Sequence, residues 1–244
     1  KRQGEEGKVD YDPIDRLVGV YHDILETGLL SPEEYARSTN ESVTDVKKRM
    51  ELAELMVELL EFINAPGQFH IARELKLYYP LEELQKLLKK CRTENEKEDL
   101  KNSVFVNILL RPAGDMTRFI RGFKNIVGRE QQEDFLEEQQ EIAAEVIGIL
   151  PSPQEMSTQA IRDRVRTRED LSGALERSMD KYLLRTRKTE TRNRPILLAE
   201  KATGFLESID VNILSRLGDS ELQRLRRQLD LLEKAADEIR RSLP

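Results

Sequence analysis

Two short helical patterns joined by a tight turn, between Leu30 and Leu55 (LSPEEYARSTNESVTDVKKRMELAEL), constrain the fold of this chain more than any other stretch. Ser31 has the chemistry of an N-cap, Pro32 suits the first helical position, and Glu33 and Glu34 favour the positive end of the helix dipole. Ala36 is small enough to let a second helix cross. Asn40 stands where the turn needs a left-handed residue, for which Asn is the next choice after Gly. Ser42 caps the next helix, with Asp45 three residues on as a shortened capping box. Val46, Met50, Ala53 and Leu55 to Val57 form its inner face. This is the local architecture of a helix-turn-helix, in which one helix enters the major groove and its partner crosses the backbone. An ordinary helical hairpin has the same spacing.

The flanking sequence predicts more helix. Asp12-Pro13 opens one that carries Ile14, Leu17, Val18, Tyr21, Ile24 and Leu25, and Gly28 ends it. Asn64-Ala65-Pro66-Gly67 breaks the apolar pattern. Phe69 to Leu77 is a helix that Pro80 ends, and Leu81 to Cys91 is another. Thr93 to Asp99 reads as a solvated turn, Pro112 to Gly114 as a break, and Asp115 as the cap of a helix reaching Val127. Gln131 to Leu150 is long, acidic and helical. Pro151-Ser152-Pro153 marks a boundary. Thr167 to Leu184 is helical, and Arg185 to Pro195 reads as a loop or mobile arm. Helix formers dominate and β-branched runs are scarce, so the expected fold is all-α. The first ten residues are polar and read as frayed. The chain begins with Lys1, which predicts a piece of a longer protein.

Charge divides the chain unevenly. Residues 128–160 hold one basic and eight acidic residues, and residues 161–201 hold twelve and seven. The expected organisation is a DNA-binding domain at 1–127, an acidic helix and basic linker region at 128–200, and a helical dimerisation element at 201–244. In the last segment, Leu222, Leu225, Leu229, Leu232, Ala236, Ile239 and Leu243 alternate spacings of three and four. That is the seam of a coiled coil, which either pairs with itself in a homodimer or folds back on Leu206 to Leu217.

From Asp12 to about Leu77 the chain resembles the central DNA-binding domain of ParB-type partition proteins. Asp12-Pro13-Ile14-Asp15 resembles that family's Asn-Pro-Ile-Glu. Leu30 to Leu55 follows its helix-turn-helix pattern without gaps, and His70, Ala72 and Arg73 resemble its Gly-His-Ala-Arg. The resemblance covers about a quarter of the chain. It implies sequence-specific binding of double-stranded DNA as a dimer, in plasmid, mobile-element or chromosome partition, in a cytoplasmic, nucleoid- or plasmid-associated setting, with a partition ATPase as a further partner. Thr44, Lys47 and Lys48 are the expected groove contacts, with Ser42 capping the reader. Asp45 accepts from its own cap or from a cytosine amino group. Arg37, His70 and Arg73 are candidates for backbone contact.

The chain departs from the family in four respects. No nucleotide-binding domain with a Gly-Glu-Arg-Arg motif precedes the match, Asn40 replaces the usual Gly, Glu41 and Asp45 make the reading edge less basic, and the usual C-terminal dimer domain is not recognisable. A transcriptional regulator built on the same module and a helical scaffold that binds no DNA are the rival readings.

Secondary candidates are two arginine-rich stretches, Arg162 to Arg168 and Arg185 to Arg194, and the trio Arg118, Arg121 and Lys124. Neutralising phosphates along them would give salt-dependent, sequence-independent affinity. Nothing in the sequence points to an enzyme or to a cofactor. His22 and His70 lack neighbours at metal-ligand spacing. Cys91 lies among Lys89, Lys90 and Arg92, cations that would lower a thiol pKa, but no base accompanies it. The net charge of −6 at pH 7 does not exclude DNA, because binding uses the field of one face.

Overall fold

The computed structural model describes residues 12–112 and 115–243. The polar first ten residues and the Ala113-Gly114 part of the expected break lie outside them. Every described element is helical, so the all-α expectation is met. The chain divides into two compact units, residues 1–188 and 189–244.

In the first unit, α1 (Pro13–Val20) is capped by the Asp12 carboxylate, which accepts the Ile14 N–H at 2.8 Å. It runs into a π-helical turn at Tyr21–Glu26, and Gly28 reverses the chain at a φ of 62°. α2 (Pro32–Thr39), α3 (Val43–Phe62) and α4 (Phe69–Glu74) follow. Next come α5 (Tyr78–Leu88), α6 (Glu94–Leu110) and α7 (Met116–Gly122), the last extended by a 3-10 turn at Phe123–Asn125. α8 (Gln132–Ile149), α9 (Thr158–Arg164) and the start of α10 (Glu169–Glu207) complete it.

α6 is the axis of this unit. All of its residues from Ser103 to Leu110 are buried, so that half is covered on every side. One apolar core runs from Ile14 to Tyr182 and takes in α3, α5, α6, α7, α8, α9 and the first turns of α10. The ring of Phe135 on α8 meets Phe123 at 5.1 Å and Tyr182 on α10 at 5.5 Å, both edge-on. A polar relay crosses the same core. The Asn107 side-chain amide donates to Gln139 Oε1 at 3.0 Å, and the Gln139 amide donates to the Ser178 hydroxyl at 3.1 Å. The core is therefore continuous across the divide expected near residue 127, and Pro151 to Pro153 separates two helices, not two cores.

Three local expectations are corrected. Thr93 to Asp99 is no turn: the Thr93 hydroxyl accepts the Glu96 N–H at 3.2 Å and starts α6. Pro80 does not end a helix. It lies in the first turn of α5, where a missing N–H costs nothing, and Lys76 at a φ of 57° makes the break before it. Arg185 to Pro195 is no loop: it is the middle of α10, even though Pro195 sits inside the helix. Its Arg, Lys and Glu residues are helix formers that extend a helix already nucleated by the buried Leu171 to Tyr182, so the run needs no apolar stripe of its own.

The second unit holds the rest of α10, a 3-10 turn at Val211–Arg216 and α11 (Asp219–Arg241). None of its described residues is buried. Large apolar side chains such as Phe205, Val211, Ile239 and Leu243 are about two-thirds exposed or more.

Candidate nucleic-acid interface

The caps expected at Ser31 and Ser42 and the left-handed turn expected at Asn40 are all present, but the complete capping box falls at Ser31 and not at Ser42. The Ser31 hydroxyl accepts the Glu34 N–H, and the Glu34 carboxylate takes the Ser31 N–H at 2.8 Å, a complete capping box. That backbone bond, with the Ser31 hydroxyl, holds the Glu34 carboxyl below its ordinary range. Asn40 closes α2 in the left-handed region, at φ 55° and ψ 44°. The Ser42 hydroxyl accepts the Asp45 N–H at 3.1 Å and donates to the Asp45 carboxylate at 2.6 Å. Asp45 therefore closes on the cap's hydroxyl, where Glu34 closes on the cap's backbone.

Behind this turn lies a second, small apolar cluster of Val20, Tyr35, Ala36 and Val46, with Ile24, Leu30, Val43 and Met50 at its edge. Gly19 admits the Tyr35 hydroxyl, which lies 3.4 Å from where a β-carbon would be. The Arg49 guanidinium grips Glu41 through two bonds of 2.7 and 2.9 Å, fixing the turn to the body of α3. Arg49 holds the Glu41 carboxyl below its usual range, and Glu41 raises Arg49 in return. The acidic Glu41 is thus committed to a fold contact.

The first two turns of α3 stand outside the main core, whose share of this helix starts at Leu52. Ser42, Thr44, Asp45, Lys47 and Lys48 are all exposed there. Lys47 faces Glu33 at 3.6 Å and Lys48 faces Glu82 at 3.1 Å. Exposed pairs of this kind are worth less than about 1 kcal/mol, so a phosphate can displace either carboxylate. Arg37 is exposed on α2 and donates through Nε to the Glu33 carbonyl at 3.3 Å. His70 is exposed on α4. Arg73, also on α4, instead pairs with Asp15 and ties α4 to α1.

Other sequence candidates are engaged in the fold. Arg121 bonds Glu83 at 2.9 Å, Arg164 bonds Glu155 at 2.8 Å and Arg168 bonds Asp170. Arg166 is half-buried and donates to the Leu109 carbonyl at 3.1 Å. The Cys91 thiol is pushed up by burial and by Glu96, the reverse of what its basic sequence neighbours suggest. Sequence reasoning missed Arg49 altogether. Its signal was available, because an arginine two turns into a helix can reach back to an acidic residue just before the cap. A cleft of about 390 Å³ lies beside the turn, lined by Asn40, Glu41, Ser42, Asp45, Lys48, Arg49, Leu52 and Tyr78. Among the described residues no group of three or more His, Cys, Asp or Glu side chains is placed to hold a metal ion, and no helix is long and apolar enough to cross a membrane. The chain matches no protein family model, no curated protein and no solved structure.

Proposed function

We propose that this chain binds double-stranded DNA in a sequence-specific manner, as a dimer, with the first two turns of α3 in the major groove. The observation that carries this reading is the braced, outward-standing start of α3, capped by Ser42 and locked by Asn40 and the Arg49–Glu41 clamp. Thr44 reads base edges, and Lys47 and Lys48 exchange Glu33 and Glu82 for phosphate. Arg37 and His70 reach the backbone beside the groove, and Arg73 supports α4 through Asp15. The resemblance to ParB-type proteins supplies the role, partition of a plasmid, mobile element or chromosome, with a partition ATPase as partner.

The test is retention of fragmented host-replicon DNA on the purified chain, followed by sequencing and a salt titration. Enrichment of one site is expected, with affinity falling steeply as salt rises. Lys47→Ala with Lys48→Ala should lower affinity and reduce the salt slope by about two. Absence of both enrichment and low-salt binding would remove this reading. It would favour the second one, a helical scaffold that gathers proteins, for which the apolar surface of residues 196–243 speaks.

A further inference from the structure

α11 carries one apolar stripe, Leu222, Leu225, Leu229, Leu232, Ala236 and Ile239, in alternating steps of three and four along a continuous helix. Leu229, Leu232 and Ile239 are 42%, 45% and 66% exposed. Leu222 and Leu225 are half-buried, but folding back on Leu206 to Leu217 does not cover the rest of the stripe, because Leu206, Ile209 and Ile213 are themselves 41%, 40% and 51% exposed. A stripe of this period is covered by another helix of the same period.

The charges beside the stripe choose that helix and its direction. One flank carries Asp219, Arg226, Glu233 and Arg240, alternating in sign at steps of seven. The other carries Glu221, Gln228, Ala235 and Ser242. In a parallel pair each flank meets the opposite one, so the only charge match is Glu221 with Arg226. In an antiparallel pair each flank meets its own copy. We propose that α11 pairs antiparallel with α11 of a second copy of this chain, Leu222 lying opposite Ile239, Leu225 opposite Ala236 and Leu229 opposite Leu232.

In this register Asp219 meets Arg240 and Arg226 meets Glu233, each twice by symmetry, so every charge on the flank faces its opposite. Sliding one helix by seven residues either way destroys the match. One slide sets Arg226 against Arg226 and Asp219 against Glu233. The other sets Glu233 against Glu233 and Arg226 against Arg240. Like charges facing each other across a helical seam disfavour both. The smaller Ala236 opposite Leu225 leaves the larger side chain its space.

The inference rests on the dimer of the proposed reading and not on its DNA contact. The full chain with Cys91→Ser and Ser220→Cys, carrying a spin label at position 220, should sediment as a dimer with labels about 30 Å apart, since 21 residues of helix axis separate them. A parallel pair would set them level with each other, roughly 20 Å apart across the two helices, and overturn the proposal. Arg226→Glu should weaken the dimer about tenfold, and adding Glu233→Arg should restore it. Rescue by Glu221→Arg instead would also overturn it. A monomeric mass sinks the dimer itself, whereas a dimer of correct geometry that retains no DNA sinks only the DNA reading.

Discussion

The first unit contains two apolar clusters of very unequal size, and α3 belongs to both. Its first turns close the small cluster of Val20, Tyr35, Ala36 and Val46, while Leu52 to Leu60 enter the large one around α6. The large cluster is held by burial: Phe135, Leu59 and Leu109 are wholly inaccessible. The small one buries too little to stand on area alone. It depends on discrete polar devices, namely the Ser31–Glu34 box, the Asn40 turn and the Arg49–Glu41 clamp. The start of α3 is thereby mounted on the larger core without sharing all of its stability.

The sharpest way to break this contrast is to damage each cluster by its own means. Phe135→Ala should cost about 3–5 kcal/mol in global stability, read from urea unfolding, because it opens a cavity among Phe123, Tyr182 and α6. A cost below about 1 kcal/mol would show that the large cluster tolerates loss and that burial is not what holds it. Arg49→Ala should cost less, about 1–3 kcal/mol, and its effect should concentrate in the hydrogen exchange of α2 and the start of α3. Equal loss of protection in α6 would erase the distinction between the clusters.

The clamp also has a pH signature. Glu41 titrates below the ordinary 4.5 because Arg49 bonds its charged form. The stabilisation is complete above the ordinary value and is lost as pH falls through the lowered one. As pH falls below the ordinary 4.5, Glu41→Gln should therefore lose less stability than the parent chain, as followed by thermal unfolding. The smallest effect belongs to the turn. Asn40→Ala should cost about 1 kcal/mol and Asn40→Gly close to nothing, because only the left-handed backbone is at issue.

The small cluster was the more legible of the two in the sequence, since its devices are local: Ser31, Pro32, Asn40 and Ser42 each act within three or four residues. Capping at Thr93 is equally local, but TENEKED is so polar that its Thr-x-x-Glu cap has the composition of solvated chain. The large cluster was legible only as apolar periodicity. That Phe135 would meet Phe123 and Tyr182, or that Gln139 would be buried, depends on helices brought together from far along the chain. The reach of α10 through Arg185 to Pro195 was hidden for a related reason, since a helix begun by packing can continue through a run that carries no apolar stripe. At the candidate interface the exposed Thr44, Lys47 and Lys48 were foreseen. The pairing of Arg73 with Asp15 was not, because it joins two helices separated by the whole module.

The relay from Asn107 through Gln139 to Ser178 has a consequence for how the chain assembles. Its three members are buried within an apolar core whose contacts are not directional. A slide of α8 by one turn, about 5.4 Å, would part the Gln139 amide from both Asn107 and Ser178 and leave it facing hydrocarbon, at about 1–3 kcal/mol. Three helices distant in sequence thus share a proofreading mark that rejects an assembly one turn out of step.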